Sequence, residues 1–282
     1  MAKSVSLSTA PACHHGGVRD TYTHGHHESV LRSHTWRTAE NSAAYLLPSL
    51  VRGMSLLDVG CGPGTVTADL AARLSPGTVV GVDASAGVVA EAKERARRAG
   101  SGAAFCVGDA YGLGFADAAF DVVHAHQVLQ HLARPVEALC EMRRVLRPGG
   151  LVAVRDSDYS AFTWAPADRW LDRWLDLYHE VTAANGADAD AGRRLGDWVA
   201  EAGFSRPRVT RGTWVFDDPD RRQWWGGLWA DRVVHSDFAA QALSYGLAGE
   251  AELEAIAAAF RRWADAADGT FVVVHGEVVA VR

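Results

Sequence analysis

Five short apolar runs alternate with helical patterns through the first part of this 282-residue chain. The runs lie at residues 56–59, 78–83, 103–107, 120–125 and 151–155. After the first run, apolar side chains recur at every fourth residue, which is the spacing of a helix. Strand-length runs that alternate with helices predict a parallel sheet of the α/β class.

The second half of the chain is patterned mainly as amphipathic helices, with two further strands expected at 208–216 and within 271–281. One apolar helical face consists of Trp170, Trp174, Leu177, Tyr178 and Val181. Another consists of Leu253, Ile256, Phe260, Trp263 and Ala267.

These patterns divide the chain into three parts. Residues 1–50 are expected to form a flexible tail and a helical segment that acts as a lid. Residues 51–157 hold the five-strand core, and residues 158–282 add helices and complete the sheet.

The first apolar run contains Asp58 and breaks into the glycines Gly60, Gly62 and Gly64. Glycine lets a backbone turn sharply and lie against a ligand, because it has no Cβ. A dinucleotide fingerprint would need a third glycine where threonine stands in both possible registers, and no lysine is present for a phosphate-binding loop. Because Asp58 would repel pyrophosphate but can pair with an ammonium group, the turn favours S-adenosylmethionine.

Two further acids follow the next apolar runs. Asp83 ends the second run, where a carboxylate can accept hydrogen bonds from both ribose hydroxyls. Asp109 follows the third run, where it can accept from an adenine amine. The three acids therefore favour the same nucleoside ligand.

At these positions the chain resembles the class I S-adenosylmethionine-dependent methyltransferases, and among them the branch around the quinone-biosynthesis C-methyltransferases. Its motifs occur in the family's order at strand ends, over roughly residues 52–156. The matching residues are Asp58 to Gly64, Asp83, Gly108 to Ala110, Gln127 to Leu132 and Arg147 to Gly150.

The resemblance implies a Rossmann-like, seven-stranded, mostly parallel sheet with helices on both faces, an N-terminal helical lid and helical insertions in the second half. It also implies that Asp83 binds ribose, that Asp109 and Ala110 bind adenine, and that residues near His126 and Gln127 flank the sulfonium. The cofactor-binding residues expected in the core are Asp58, Gly60, Gly62, Gly64, Asp83, Ala84, Asp109, Ala110, His126 and Gln127.

The composition limits the kinds of binding partner and the cellular location that we expect. The net charge of −6 and the pI of about 6.0 argue against a nucleic-acid surface. No apolar run is long enough to predict a membrane span, and the N-terminus lacks the apolar region of a secretory signal, so a cytoplasmic protein is expected. The four scattered cysteines are typical of reduced thiols. The sequence assigns no oligomeric state.

Six of the twelve histidines fall within the first 34 residues. No acid or cysteine frame completes a metal site there, so none is predicted. We expect instead that Tyr22, His27 and Arg37 fold over the open edge of the cofactor site. Arg37 suits the methionine carboxylate because a guanidinium donates two parallel bonds. An ordinary solvated helix face is the alternative.

Nine of the ten tryptophans lie after the five-strand core. Trp224, Trp225 and Trp229 cluster beside two glycines and are the candidates for an aromatic acceptor pocket. Helix packing alone is the alternative, because aromatic stripes commonly fill cores.

His131 and Gln127 are the candidate catalytic residues. An imidazole has a pKa suited to a general base, so His131 can take a proton from the acceptor. The alternative for His131 is a helix cap or a packing role, with Gln127 and Gln130 orienting the substrate by hydrogen bonds.

The predicted activity is transfer of a methyl group from S-adenosylmethionine to O, C or N of a small organic acceptor, giving S-adenosylhomocysteine. Alignment and exclusion of water supply most of the catalysis in such a displacement. The alternatives are a non-methylating enzyme of the cyclase or decarboxylase type on the same fold, and a binding module that senses the cofactor.

Overall fold

The apolar runs form the parallel half of one sheet in the computed structural model, which describes residues 20–23 and 28–282. His27 and residues 1–19, which belong to the expected tail, lie outside the described residues. The strands of the described chain are β1 (Leu56–Val59), β2 (Val79–Asp83), β3 (Ala104–Val107), β4 (Phe120–His126), β5 (Leu146–Ser157), β6 (Thr163–Ala165), β7 (Ser205–Phe216) and β8 (Thr270–Val281).

The strands are ordered β3-β2-β1-β4-β5-β8, with β7 and the short β6 both paired to β8. Strands β1 to β5 pair in parallel, whereas β8 runs antiparallel to its neighbours. Ala153 of β5 and Val209 of β7 lie opposite Val279 and Val278 of β8. The predicted α/β fold and its seven strands are confirmed, and β6 is an additional short strand that the sequence did not predict.

Ten α-helices are present in the described residues. They are α1 (Glu28–Thr35), α2 (Ala39–Ser42), α3 (Thr65–Leu74), α4 (Ala86–Ala99), α5 (Pro135–Val145), α6 (Arg169–Ala184), α7 (Ala191–Glu201), α8 (Pro219–His235), α9 (Asp237–Ser244) and α10 (Glu250–Asp265). Gly203 follows α7 with φ of 81°, a left-handed conformation that ends helices at little cost for glycine. Within the described chain, none of the helices combines the length and the apolar character that crossing a bilayer requires.

Apolar side chains cover both faces of the sheet. Leu139 and Leu195 belong to the buried cluster on one face, and Leu70 and Leu74 to the cluster on the other. Full burial of a leucine contributes about 1.5–3 kcal/mol relative to exposure, so these two layers hold the strand ends in fixed positions.

A third cluster of buried apolar side chains is formed by the second half of the chain and is rich in aromatic rings. Trp174 lies 4.6 Å from Trp229 and 5.2 Å from Phe260, measured between ring centroids. Trp170, expected on the same face as Trp174, is only half-buried. Because α10 ends at Asp265, Ala267 is exposed in the following turn rather than on the apolar face where it was expected.

Candidate active site

The strand order reverses beside β1, because β2 and β3 lie on one side of it while β4 and β5 lie on the other. Ligands of open α/β sheets bind at the carboxyl ends of the strands at such a point. A cavity of about 1490 Å³ is present there. Pockets for drug-sized ligands span about 300–1,000 Å³, so this cavity has room for more than one small molecule.

The glycine turn forms one wall of the cavity. Gly60, Gly62 and Gly64 have φ of 68°, 54° and 79°, in the left-handed region. A Cβ at Gly60 would lie 2.3 Å from a methyl of Val128, whereas at Gly62 the nearest neighbour would be His34 Nδ1, 3.8 Å away. Gly60 therefore permits close packing, while Gly62 leaves the backbone open to a ligand.

Asp58 lies at the floor of the cavity and is buried. Its Oδ2 accepts a hydrogen bond from Thr67 Oγ1 at 2.5 Å, and its Oδ1 lies 2.8 Å from His124 Nδ1. These partners fix the carboxylate from within the fold. A carboxylate has about four acceptor positions, so an ammonium group can still be bound from the cavity.

Asp83, at the end of β2, is also fixed by hydrogen bonds from within the fold. Its Oδ2 accepts from the Gly62 N–H and its Oδ1 from the Ser85 N–H, both at 3.0 Å. The side chain is half-buried and lines the cavity together with Ala84. The carboxylate is thus oriented by two backbone donors and keeps acceptor positions for hydroxyl groups.

Asp109 and Ala110 line the cavity beyond the end of β3. Asp109 is exposed, and its Oδ1 accepts from the Tyr111 N–H at 2.9 Å. Three carboxylates at the ends of adjacent strands therefore lie along one side of the cavity. This set of hydrogen-bond acceptors fits a ligand that carries an amine and several hydroxyl groups, as S-adenosylmethionine does.

The described part of the N-terminal segment also lines the cavity, through Asp20, Tyr22, Ser33, His34 and Arg37. The edge of the Tyr22 ring contacts His131, with 4.8 Å between ring centroids, and the Tyr22 hydroxyl lies 3.4 Å from His34 Nε2. Asp20 accepts a hydrogen bond from the Ala133 N–H at 3.0 Å. Tyr22 thus lies against the cavity.

Arg37 also lines the cavity. Its Nη2 donates to Gln127 Oε1, and its guanidinium carbon lies 6.0 Å from the centre of the Trp214 ring. Its buried Nε has no hydrogen-bond partner among the described residues. Arg37 can therefore still donate to a carboxylate in the cavity.

Gln127 is held from several sides. Its φ of 54° is unusual for a residue with a Cβ, and its N–H donates to the Arg155 carbonyl at 2.7 Å. Its Nε2 donates to Ser157 Oγ at 2.9 Å and lies 3.0 Å from His275 Nε2. These contacts fix the carboxamide, so Gln127 is suited to orienting a neighbour rather than to exchanging a proton.

His126 ends β4, lines the cavity and is 6% exposed. Neither ring nitrogen has a hydrogen-bond partner among the described residues. Burial, followed by the charges of Arg37 and Arg155, holds the pKa of His126 well below its usual value. The ring is therefore a neutral imidazole that offers one donor and one acceptor.

His131 lines the same cavity, with its Nε2 3.1 Å from Gln130 Nε2. Burial, then the charges of Arg37 and Arg232, lower the pKa of His131 to about 3. The near-neutral pKa on which its role as a general base was predicted is therefore absent, because the surroundings disfavour the imidazolium.

The three candidate tryptophans are placed differently. Trp225 and Trp229 line the cavity and are buried. Trp224 is half-buried and does not line it; its ring lies 5.2 Å from that of Trp36 and 5.9 Å from that of Phe216. The aromatic wall therefore contains two of the three predicted residues.

Sequence reasoning missed several residues of this wall. They are Ser157, Tyr159, Phe162, Trp214, Arg232 and Val273. The ring centroids of Trp214 and His275 lie 4.4 Å apart. The guanidinium carbon of Arg155 lies 4.8 Å from the centre of the Trp214 ring. One feature of the sequence could have pointed to Trp214: Arg155 and His275, which both contact it, are polar residues in otherwise apolar strands.

No group of three potential metal-ligating side chains occurs among the described residues. Of the six N-terminal histidines, only His34 lies within the described part of the chain. Cys61, Cys106 and Cys140 are free thiols.

Comparisons with known proteins agree with this geometry. A methyltransferase domain family matches residues 57–154. An uncharacterized methyltransferase of Schizosaccharomyces pombe is 32% identical over 268 residues, which cover 92% of this chain and 95% of that protein. A protein named probable methyltransferase ltbC, from Aspergillus luteorubrus, is 30% identical, with 94% of this chain and 98% of that protein covered.

Two further similarities concern the core and the fold. A demethylmenaquinone methyltransferase of Beutenbergia cavernae is 41% identical over 144 residues, covering 51% of this chain and 55% of that protein. The crystal structure of the YcgJ protein from Bacillus subtilis superposes with a TM-score of 0.52 at 18% identity, covering 85% of this chain and 97% of that one. With two relatives matched over nearly their whole length, the chain belongs to the class I S-adenosylmethionine-dependent methyltransferases.

Proposed function

We propose that this small-molecule methyltransferase transfers the methyl group to O, C or N of a planar or apolar organic acceptor bound against Trp225 and Trp229. The observation that carries the proposal is the cavity of about 1490 Å³, whose lining includes both the strand-end acids and the aromatic wall. One continuous space of this size can hold two ligands side by side, as a transfer between them requires.

The cofactor end of the cavity is assigned to the strand-end acids, with Ala110, and to the glycine turn. Asp83 would accept from the ribose hydroxyls, and Asp109 with Ala110 would bind adenine. Asp58, Gly60, Gly62 and Gly64 would hold the methionine part, with Arg37 on its carboxylate. When bound, S-adenosylmethionine supplies an activated methyl group on a positively charged sulfur.

The protein's contribution to the reaction is alignment and exclusion of water. Phe162, Trp225 and Trp229 present apolar surface to the cavity, and Tyr22 lies over it next to His131. Gln127, fixed by Ser157 and Arg37, is suited to orienting a polar group of the acceptor. His131 is assigned to packing and positioning, because its low pKa makes it a weak base.

Mass analysis of products tests this proposal. The purified protein is incubated with methyl-deuterated S-adenosylmethionine and a panel of planar phenols, enols, amines and apolar controls. We expect one acceptor class to gain the labelled methyl group with an equal amount of S-adenosylhomocysteine.

An unlabelled but altered product would favour the cyclase or decarboxylase alternative. Binding of the cofactor without turnover of any acceptor would favour a binding module. Asp83→Ala serves as the matched control, since it should abolish labelling at low cofactor concentration while the aromatic wall stays intact.

A further inference from the structure

A line of polar side chains runs from the cavity into the sheet. Gln127 lines the cavity directly after β4, and its Nε2 lies 3.0 Å from Nε2 of His275 on β8. Nδ1 of the same histidine lies 3.0 Å from Nη2 of Arg155 on β5. At the cavity end, Arg37 Nη2 donates to Gln127 Oε1. The side chains therefore form one continuous series of contacts that begins and ends with an arginine.

The two arginines can only donate hydrogen bonds. Between them stand a carboxamide and a neutral imidazole, each of which has one donating and one accepting side. His275 is neutral because burial, followed by the charges of Arg155 and Arg37, holds its pKa well below the usual value. A series with a donor at each end and two such groups between them cannot pair a donor with an acceptor at every contact. One contact must therefore bring two N–H groups together.

The contact at Arg155 has the least freedom to change. Arg155 and His275 are 2% and 0% exposed, and Arg155 Nε donates to Glu277 Oε1 at 3.1 Å. The neighbouring strand leaves no room, because a Cβ on Gly212 would collide with Glu277 Oε1. The backbone of Gly212 also interacts with the His275 ring, but Arg155 has no lone pair to offer to Nδ1. Nδ1 is therefore the acceptor, and Nε2 carries the hydrogen.

The cavity end of the series can change. Arg37 lines the cavity, and its Nε has no hydrogen-bond partner in the described part of the chain. Ser157 Oγ, 2.9 Å from Gln127 Nε2, can accept or donate, so it fits both orientations of the carboxamide. A carboxamide that is turned over keeps its shape and exchanges its donor for its acceptor. Every remaining contact is matched once Arg37 leaves Gln127 and the carboxamide oxygen faces His275.

We propose that the Gln127 carboxamide turns its NH2 group towards the cavity when Arg37 moves to the carboxylate of the bound cofactor. His275 and Arg155 act as positioning residues, because their fixed hydrogen bond requires the Gln127 oxygen on their side. This rests on the proposed function, which places that carboxylate at Arg37. Gln127 then donates a hydrogen bond to the acceptor, so the acceptor must present a lone pair there. The movement of Arg37 thereby links the two ends of the cavity.

Neutron diffraction of deuterium-exchanged crystals tests the proposal directly, because it distinguishes nitrogen from oxygen and locates each deuterium. The wild-type protein is crystallised with S-adenosylhomocysteine. We expect deuterium on His275 Nε2 and none on Nδ1, with the Gln127 oxygen facing His275 and its ND2 group facing the cavity. Deuterium on Nδ1, or an ND2 group that faces His275, would overturn the proposal.

Calorimetry tests the link between Arg37 and Gln127 in solution. Gln127→Glu gives Arg37 an ionised partner that it must leave, so S-adenosylhomocysteine should bind at least about tenfold more weakly. Gln223→Glu, which adds the same charge at an exposed position of α8, is the control and should bind as wild type does. Equal affinities in the two variants would contradict the link. If Gln127→Glu does not fold, the neutron structure of the wild-type protein decides by itself.

Failure of this inference and failure of the proposed function give different results. If the wild-type protein does not bind S-adenosylhomocysteine, or no acceptor gains the labelled methyl group, the proposed function fails and this inference falls with it. If the protein binds and transfers the label while the Gln127 NH2 group stays on the side of His275, only the inference fails.

Discussion

The two ends of the cavity are built in different ways. At the cofactor end, Asp83 is oriented by the N–H groups of Ser85 and Gly62, which lie close to it at the ends of adjacent parallel strands. At the aromatic end, the wall joins residues from β4, β7 and α8, of which His126 and Trp229 are examples. A local backbone motif forms the first site, whereas the tertiary packing of the whole second half forms the other.

The largest expected effect tests whether the aromatic wall is also core. Trp229 is 1% exposed and contacts Trp174 and Phe260. Trp229→Ala should lower the free energy of unfolding by about 3–5 kcal/mol, because it leaves a cavity among packed rings. Urea denaturation measures this, with the half-buried Trp224→Ala as the control. Equal losses in the two variants would mean that the wall is no more deeply packed than its surroundings.

The second prediction concerns a buried acid that lies outside the cofactor end of the cavity. Asp156, at the end of β5, is fully buried, and burial raises its pKa to about 8. Between about pH 4 and pH 8 the unfolded carboxyl is ionised while the folded one keeps its proton, so its contribution to stability falls as the pH rises.

Asp156→Asn removes this titration and can keep the bond that Oδ1 accepts from the Gln130 N–H. The variant should therefore gain stability relative to wild type by up to about 1.4 kcal/mol per pH unit, or about 2–3 kcal/mol from pH 5 to pH 7. Denaturant unfolding at several pH values checks the slope. A stability difference that does not change with pH would contradict it.

The third prediction concerns the cofactor end alone. Asp83→Ala should weaken binding of S-adenosylhomocysteine about tenfold or more, since hydrogen bonds to a charged group are worth about 1.5–3 kcal/mol. Calorimetry measures the affinity and circular dichroism the fold. Asp117→Ala, which removes an exposed partner of Arg144, is the control and should bind as wild type does. Unchanged affinity in Asp83→Ala would end the ribose assignment.

The fourth prediction separates two glycines of one turn. Gly62→Ala should cost about 1–2 kcal/mol of stability, because an L-residue rarely adopts its left-handed φ. It should also weaken cofactor binding, because the added Cβ would project into the cavity space that the ligand needs. Gly60→Ala should cost more stability, since its Cβ would collide with Val128. Thermal unfolding and calorimetry on both variants distinguish the effects. The reverse order of stability loss would refute the packing role of Gly60.

The same contrast explains how much the sequence could reveal. The strands and the glycine turn were predictable, because apolar runs, helical spacing and glycines are local signals. Pro135 and Gly203 marked helix ends for the same reason. The strand-end acids were predictable because all parallel strands expose their carboxyl ends at one edge of the sheet.

The aromatic end was predicted less completely. Trp224 and Trp225 are neighbours in sequence, yet only Trp225 reaches the cavity, because adjacent residues of a helix point in different directions. The low pKa of His131 depends first on burial and then on the charges of Arg37 and Arg232, which are distant in sequence and meet it only in the folded chain. The short strand β6 carries no pattern of its own and is formed by pairing with β8.

Hydrogen exchange with and without S-adenosylhomocysteine tests the central claim, the division of the cavity, most directly. The account predicts slower exchange in residues 58–64, 83–85 and 108–112 and in the segment 32–37, with little change in residues 225–233. Protection that appears in residues 225–233 while the glycine turn is unaffected would contradict it.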